Sequence, residues 1–166
     1  MIKISKKPKI VGSRMRERAK REVFNYLKGK EICSLATMRR DGYPQANMVD
    51  YVNDGLTLYI ATYITASKVD NIRFNSKVSL TVGDKSDDIT KTKGVSLAGE
   101  AFVLSDKNQI KRARRLLIKK FPYVAEFPAE ELAWIKVKPR VVYFVDYSKG
   151  IGHQDIIEIS KGGRSK

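Results

Sequence analysis

The stretch LYIATYITASKVDNIRFNSKVSLTV, Leu58–Val82, decides the fold. An alternating strand ends at Thr62, a hydroxyl-bearing turn opens a short helix at Ser67 and Lys68, and a second alternating strand follows at once. A lysine in a first helical turn faces the positive end of the macrodipole, which disfavours it by a few tenths up to about 1 kcal/mol. An anion docked there, held by free N–H groups, threonine and serine hydroxyls and the ammonium, removes the conflict. The turn reads as a phosphate grip.

Outward from this turn, hairpin signals accumulate. Glu31–Thr37 is a short β run followed by a turn at Arg40-Asp41-Gly42. Gln45–Asn53 is a second strand closed by Asp54-Gly55, and Leu56–Thr62 is a third. Asp-Gly between alternating runs marks antiparallel hairpins, because glycine accepts positive φ without strain. Lys77–Val82 is a fourth strand, Gly83–Lys93 a charged loop, and Gly94–Leu104 a fifth strand in which Gly99 signals a bulge or a close backbone approach. Ala133–Tyr147 is the last long strand, with Pro139 arguing for an edge or a kink. Six strands with regular turns predict a small closed or partly closed β-barrel.

Helices flank this meander. Ser13 is read as the N-cap of a helix to about Leu27, stopped by Gly29, with Met15, Ala19, Val23 and Leu27 inward. Ser105 and Asp106 offer caps for a helix to Lys120 that turns Ile110, Ala113, Leu116, Leu117 and Phe121 inward, and Pro122 ends it. A short helical piece at Pro128–Leu132 follows. The predicted organisation is a basic arm over 1–12, one domain over 13–159 and a flexible tail over 160–166.

Composition narrows the chemistry. The chain has 166 residues, 33 Lys and Arg against 18 Asp and Glu, and a net charge of +15. A domain of this size buries roughly 70% of its unfolded surface, so it needs no staples. No apolar run reaches the ~18 residues of a membrane span. The lysine-rich start lacks the apolar region of a signal peptide, and Cys33 is the only cysteine, so the expectation is a cytoplasmic protein without internal disulfides. With His153 as the only histidine, a Cys/His zinc cluster is excluded.

The ordered set Cys33–Thr37, Asp41–Gln45, Leu58–Thr62, Ser67–Ile72, Asn75–Leu80 and Gly94–Ala101 resembles the flavin-binding split β-barrel family of pyridoxamine 5′-phosphate oxidase. The resemblance covers Glu31–Leu104 and continues weakly through Arg140–Asp155. It implies a mainly β fold with peripheral helices (α+β), a six- to seven-stranded antiparallel split β-barrel of the FMN-binding type. It also implies a homodimer with FMN in clefts between subunits. The phosphate would sit on Ser67 and Lys68 with Ala61 and Thr62 at the preceding strand end and Thr65 in the turn. The flavin pyrimidine edge would lie against Asn47, Met48 and Val49.

Departures from the family pattern matter as much. Asn47 and Val52 stand where the oxidase has arginine and lysine, which removes positive charge beside a reduced flavin. The tryptophan of the last strand is missing near Tyr143-Phe144. Gly152-His153-Gln154-Asp155 keeps a histidine but lacks the substrate arginines. The reaction on pyridoxamine phosphate itself is therefore not expected.

Each signal also has a plainer reading. Lys68 alone is a solvated helix lysine; with Thr62, Thr65 and Ser67 around it, it reads as a phosphate ligand. Thr65 is a phosphate contact, a helix N-cap, or both. Asp50 either faces solvent or pairs with an arginine across the dimer. His153 is a surface-loop histidine or, in the sharper reading, a proton donor over the flavin. Trp134 is core or dimer packing, and Cys33 a buried strand residue. The leading functional expectation is an FMN-dependent oxidoreductase acting on a small substrate. The alternative is a non-catalytic flavin- or nucleic-acid-binding module, with deazaflavin or haem as cofactor variants.

Overall fold

The structure, a computed structural model, describes residue 4, residues 8–84 and residues 86–159, with only the backbone at 13 and 14. In chain order the elements are β1 (Lys9–Ile10), α1 (Ser13–Lys28), β2 (Ile32–Met38), β3 (Pro44–Asp50), β4 (Val52–Asp54) and β5 (Thr57–Tyr63). Then come α2 (Ser67–Phe74), β6 (Lys77–Asp84), β7 (Lys93–Val103), α3 (Lys107–Lys120), β8 (Leu132–Asp146) and β9 (Gln154–Glu158). The fold is mainly β with three peripheral helices, as predicted.

The strands form one mixed sheet in the order β1-β9-β8-β7-β6-β2-β3, with β5 paired to β8 and β4 to β5. All pairs are antiparallel except β1 with β9. The sheet does not close. Its division lies in β8, whose first half pairs with β5 from Leu132 to Val137 and whose second half pairs with β9 from Val141 to Val145. Pro139 sits between these two tracts, opposite a register shift at Ala98/Gly99. A residue without an N–H is tolerated there because neither outer strand requires it.

Gly42 and Gly55 adopt φ of 86° and 60°, which explains why both Asp-Gly hairpins form where the sequence placed them. The predicted Gln45–Asn53 strand is broken at Tyr51. Its side chain is fully buried, and its hydroxyl donates to the Leu27 carbonyl at 2.8 Å. Turning inward at Tyr51 lets β3 pair with β2 and β4 pair with β5.

Two apolar clusters flank β5 and the first half of β8. The larger holds Val23 and Leu27 of α1, Val69 and Ile72 of α2, and the inward residues of β2, β6 and β7. The second joins Ala113, Leu117 and Phe121 of α3 to Tyr59, Leu132 and Trp134. Trp134 is thus core. Each fully buried aliphatic side chain contributes about 1.5–3 kcal/mol.

Several expectations are corrected. Gly12, not Ser13, occupies the N-cap position of α1. Met15 is 55% exposed. Lys9 and Ile10 pair with Asp155 and Ile156, Val11 is buried, and Ile4 bridges Ile151, so the expected basic arm contributes to the sheet. β9 lies inside the predicted 13–159 domain, where the sequence pattern signals no strand after Tyr147. Residues 1–3, 5–7 and the predicted flexible tail at 160–166 lie outside the described residues.

Asp146 closes β8 and is buried. Burial pushes its carboxyl up, but the Ser148 hydroxyl and N–H at 2.6 and 3.1 Å, with the Lys93 and Lys149 ammoniums, hold it below its usual value. A depressed carboxyl stabilises the fold above its unfolded pKa of about 3.9 and loses that contribution as pH falls through the folded value. Asp146→Asn should therefore melt earlier than the parent at pH 7, with the gap narrowing below about pH 4 in a thermal-denaturation series.

Candidate functional site

The β5–α2 turn is built as the sequence suggested, with two refinements. Ala66 occupies the N-cap position of α2, and no side chain caps the helix. Thr65 is exposed and one residue too early to cap. Of the first-turn amides of α2, Val69 N–H donates to the Ala66 carbonyl at 2.8 Å, which leaves those of Ser67 and Lys68 for a ligand or solvent. Lys68 Nζ donates to Thr62 Oγ1 at 3.3 Å and makes no ion pair among the described residues. An ammonium held only by a hydroxyl keeps its charge available to an anion.

A polar seam fixes α2 against the sheet. Asn71 Nδ2 donates to Thr37 Oγ1 and to Gln45 Oε1, both at 3.0 Å, and Ser67 Oγ donates to the same Gln45 oxygen at 3.3 Å. Thr37 and Asn71 are buried, so breaking this seam would strand polar atoms away from water. Sequence reasoning missed these partners. The only signals were the Ser67/Asn71 spacing of four, which shares a helix face, and the Thr37/Gln45 cross-strand pairing.

Lys68 lines a cavity of about 260 Å³. Met48, Val49 and Asp50 of β3 and Ala61, Thr62 and Tyr63 of β5 form one side of it. The opposite wall comes from α3 and the 3₁₀ turn Pro122–Glu126: Leu117, Phe121, Tyr123, Val124 and the nearby Phe127. These aromatics brace one another. Phe121 and Phe127 lie 5.9 and 6.5 Å from Tyr123, and Tyr63 meets Phe127 edge-on at 5.9 Å.

The Tyr123 hydroxyl donates to the Asp50 carboxylate. Its phenol is pushed up to about 12 by burial, with the hydrogen bond and charge of Asp50 adding to the shift. Within the chain, Asp50 is therefore not left to bare solvent. Its partner is a tyrosine 73 positions along the chain.

Five of the predicted cofactor residues meet in this cavity: Met48, Val49, Ala61, Thr62 and Lys68. Ser67 lies across the turn, in an open groove with Arg39, Arg40 and Asp41. Asn47 and Thr65 line neither concavity, and Asn47 Oδ1 is buried without a donor. His153 lies in a separate cavity between α1 and β9. There Nε2 is 3.1 Å from Asp155 Oδ1, at an angle that does not make a hydrogen bond. It is a half-buried loop residue, apart from the cavity that Lys68 lines. Cys33 is buried, and its thiol is pushed up to about 12 mainly by burial, so it is not an activated thiolate.

The donor set fits a phosphate monoester joined to a flat, largely apolar group. An unpaired ammonium and hydroxyls sit at one end, and an aromatic wall at the other. The volume falls just short of the ~300 Å³ at which small-molecule sites begin, so one chain covers only part of an FMN-sized ligand.

One long strand shared by two sub-sheets, with an anion-ready turn beside the seam, defines a split β-barrel. The family model described as pyridoxamine 5′-phosphate oxidase matches residues 19–146, and the chain belongs to that family. Its structure is similar to that of a conserved hypothetical protein from Mycobacterium tuberculosis (22% identity, covering 97% of this chain and 100% of that one, TM-score 0.71). It is also similar to a heme binding protein from Mycobacterium smegmatis (19% identity, 90% of this chain and 60% of that one, TM-score 0.71). A third likeness is to General Stress Protein 26 from Bacillus anthracis (20% identity, 86% and 99% coverage, TM-score 0.64). At these identities the likeness concerns the fold alone. No curated protein matches in sequence.

Proposed function

We propose that the protein binds FMN with its phosphate at the β5–α2 turn and works as a flavin-dependent oxidoreductase on a small organic substrate. The observation that carries this reading is the Lys68 ammonium, hydrogen-bonded among the described residues only to Thr62, on an aromatic-walled cavity whose other charged group, Asp50, is engaged by the Tyr123 hydroxyl. Bound flavin would supply the electron transfer. The chain's own residues bind, orient and shield. Lys68 and Thr62 would anchor the phosphate, backbone groups of Met48 and Val49 would face the ring edge, and Phe121 and Phe127 would exclude water.

A homodimer completes the reading. The outward face of β2, β3 and β6 carries Ser34, Ala36, Ala46, Met48, Ser79 and Thr81, with Met48 76% exposed. An uncharged stretch of this width on a chain of net charge +15 suits burial against a second copy. The second subunit would also add the cavity wall that one chain lacks.

Haem, which the Mycobacterium smegmatis neighbour is named for, has less support. Neither His153 nor Cys33 lines the cavity and Tyr123 is engaged with Asp50, which leaves only Met48 and Tyr63 as lining side chains of axial-ligand type. The test is to denature purified protein, identify any released chromophore by mass, and titrate the emptied protein with FMN and riboflavin. FMN should be recovered and should bind at least about tenfold tighter than riboflavin, the discrimination that one charge-assisted contact supplies. Recovery of haem or a deazaflavin, or equal affinity for riboflavin, overturns the reading.

A further inference from the structure

The sequence of α3 reads KNQIKRARRLLIKK: seven cations and no acid in 14 residues. Its apolar side is already used, since Ala113 and Leu117 pack into the second cluster. The rest of the helix is frustrated by its own charge. Lys107 and Lys111, Lys111 and Arg115, and Arg115 and Lys119 stand four apart, a spacing at which like charges repel. Lys107 also opens the helix at the positive end of the macrodipole.

Little nearby relieves this. Asp54 pairs with Arg112, and Asp106 caps the helix by accepting from Gln109 N at 2.8 Å. Lys107, Lys111, Arg114, Arg115 and Lys119 make no ion pair among the described residues. The positive surface continues onto β8. There Lys138 lies over Phe102, and Lys136 is held below its usual pKa by burial and then by the charges of Lys138 and Arg112.

We propose that the outward face of α3 docks the sugar–phosphate backbone of duplex nucleic acid, without sequence preference. Lys107 to Lys119 spans about 18 Å along the helix axis, enough to reach phosphates on both walls of a major groove about 12 Å wide. A concavity of about 560 Å³ between Lys111, Arg115 and Lys119, with the Asn108 amide beside it, offers charge and hydrogen bonds together. No aromatic residue lies on α3, so base stacking on a single strand has no platform. A lipid surface is disfavoured because the helix has no broad outward apolar face to insert; its apolar stripe is spent on the core. The inference does not depend on what the β5 cavity binds.

The test uses the full chain and a fluorescent mixed-sequence duplex, read by anisotropy across a salt series. Five phosphate contacts give a log–log slope of about −4.5, so affinity should fall roughly 500-fold between 50 and 200 mM salt. The double variant Lys111→Glu/Arg115→Glu should bind at least about tenfold more weakly and flatten the slope to about −2.7. The same charge change on α1, Arg21→Glu/Lys28→Glu, should leave most of the affinity. If the α3 reversal lowers the melting temperature, Lys111→Gln/Arg115→Gln serves as the same test. Equal losses for the α1 and α3 variants would reduce the effect to net charge and overturn the proposal. So would absent duplex binding, or α3-dependent binding to equimolar phosphatidylserine/phosphatidylcholine vesicles that duplex fails to compete away.

Discussion

Lys68→Ala should weaken FMN binding by about 1–3 kcal/mol, the range for losing a charge-assisted hydrogen bond. That corresponds to roughly a 5- to 150-fold rise in Kd. Riboflavin, which lacks the phosphate, should bind the variant and the parent alike. The fold should barely respond, because among the described residues the ammonium hydrogen-bonds only to Thr62, and removing a cation from a first helical turn relieves a small dipole penalty. A fluorescence-quenching titration with both ligands reads the difference. Unchanged FMN affinity would take Lys68 out of the site, and equal losses for both ligands would move it to the ring end.

The second large effect is on stability. A Cβ built on Gly99 would fall inside contact distance of the Lys138 carbonyl oxygen and 2.9 Å from Pro139 Cα. Both obstacles are backbone in a strand paired on both sides of Pro139, so neither can swing away. Gly99→Ala should cost about 3 kcal/mol, the upper part of the range for overpacking. For a chain of this size that is about 6–12 °C in Tm. Gly83→Ala is the matched control. Its Cβ would meet nothing closer than 4.0 Å, so it should stay within about 0.5 kcal/mol of the parent. Equal melting of the two variants by circular dichroism would remove the steric argument.

Local chemistry made part of this fold legible and left part hidden. Gly42, Gly55 and Gly99 could be read because each position demands what only glycine supplies: positive φ at the two hairpins, and room for a facing backbone at the bulge. Asp106 could be read as a cap because capping uses atoms three residues away. Met15 was misplaced for a geometric reason. Residues spaced by four drift about 40° per step around a helix of 3.6 residues per turn, so a stripe anchored at Val23 and Leu27 rotates out of contact by Met15. β1 and β9 were hidden because their pairing joins the two ends of the domain, which no short window contains.

The site divides the same way. The turn carrying Thr62, Ser67 and Lys68 is contiguous, and its residue types announce an anion. The wall opposite comes from Leu117, Phe121, Tyr123 and Phe127, more than forty positions further on. Phe121, Tyr123 and Phe127 have no spacing that signals a pocket, and the pairing of Tyr123 with Asp50 depends wholly on tertiary placement. His153 was a candidate because imidazole is the side chain suited to proton transfer near neutrality, and the fold sets it beside Asp155, apart from the Lys68 cavity.

The exchange of neighbours along β8 has a mechanical consequence. β5 and α3 hang from the Leu132–Val137 tract, while β9 and α1 hold the tract beyond Pro139, so the molecule has two leaves on one spine. On that leaf α3 can loosen without melting the rest, since the smaller cluster carries its packing while Leu58, Ile60, Ile135 and Val137 tie the strands beneath it into the larger one. Any occupant wedged between β3 and the aromatic turn would bolt that leaf shut, making ligand uptake and local breathing two faces of a single equilibrium.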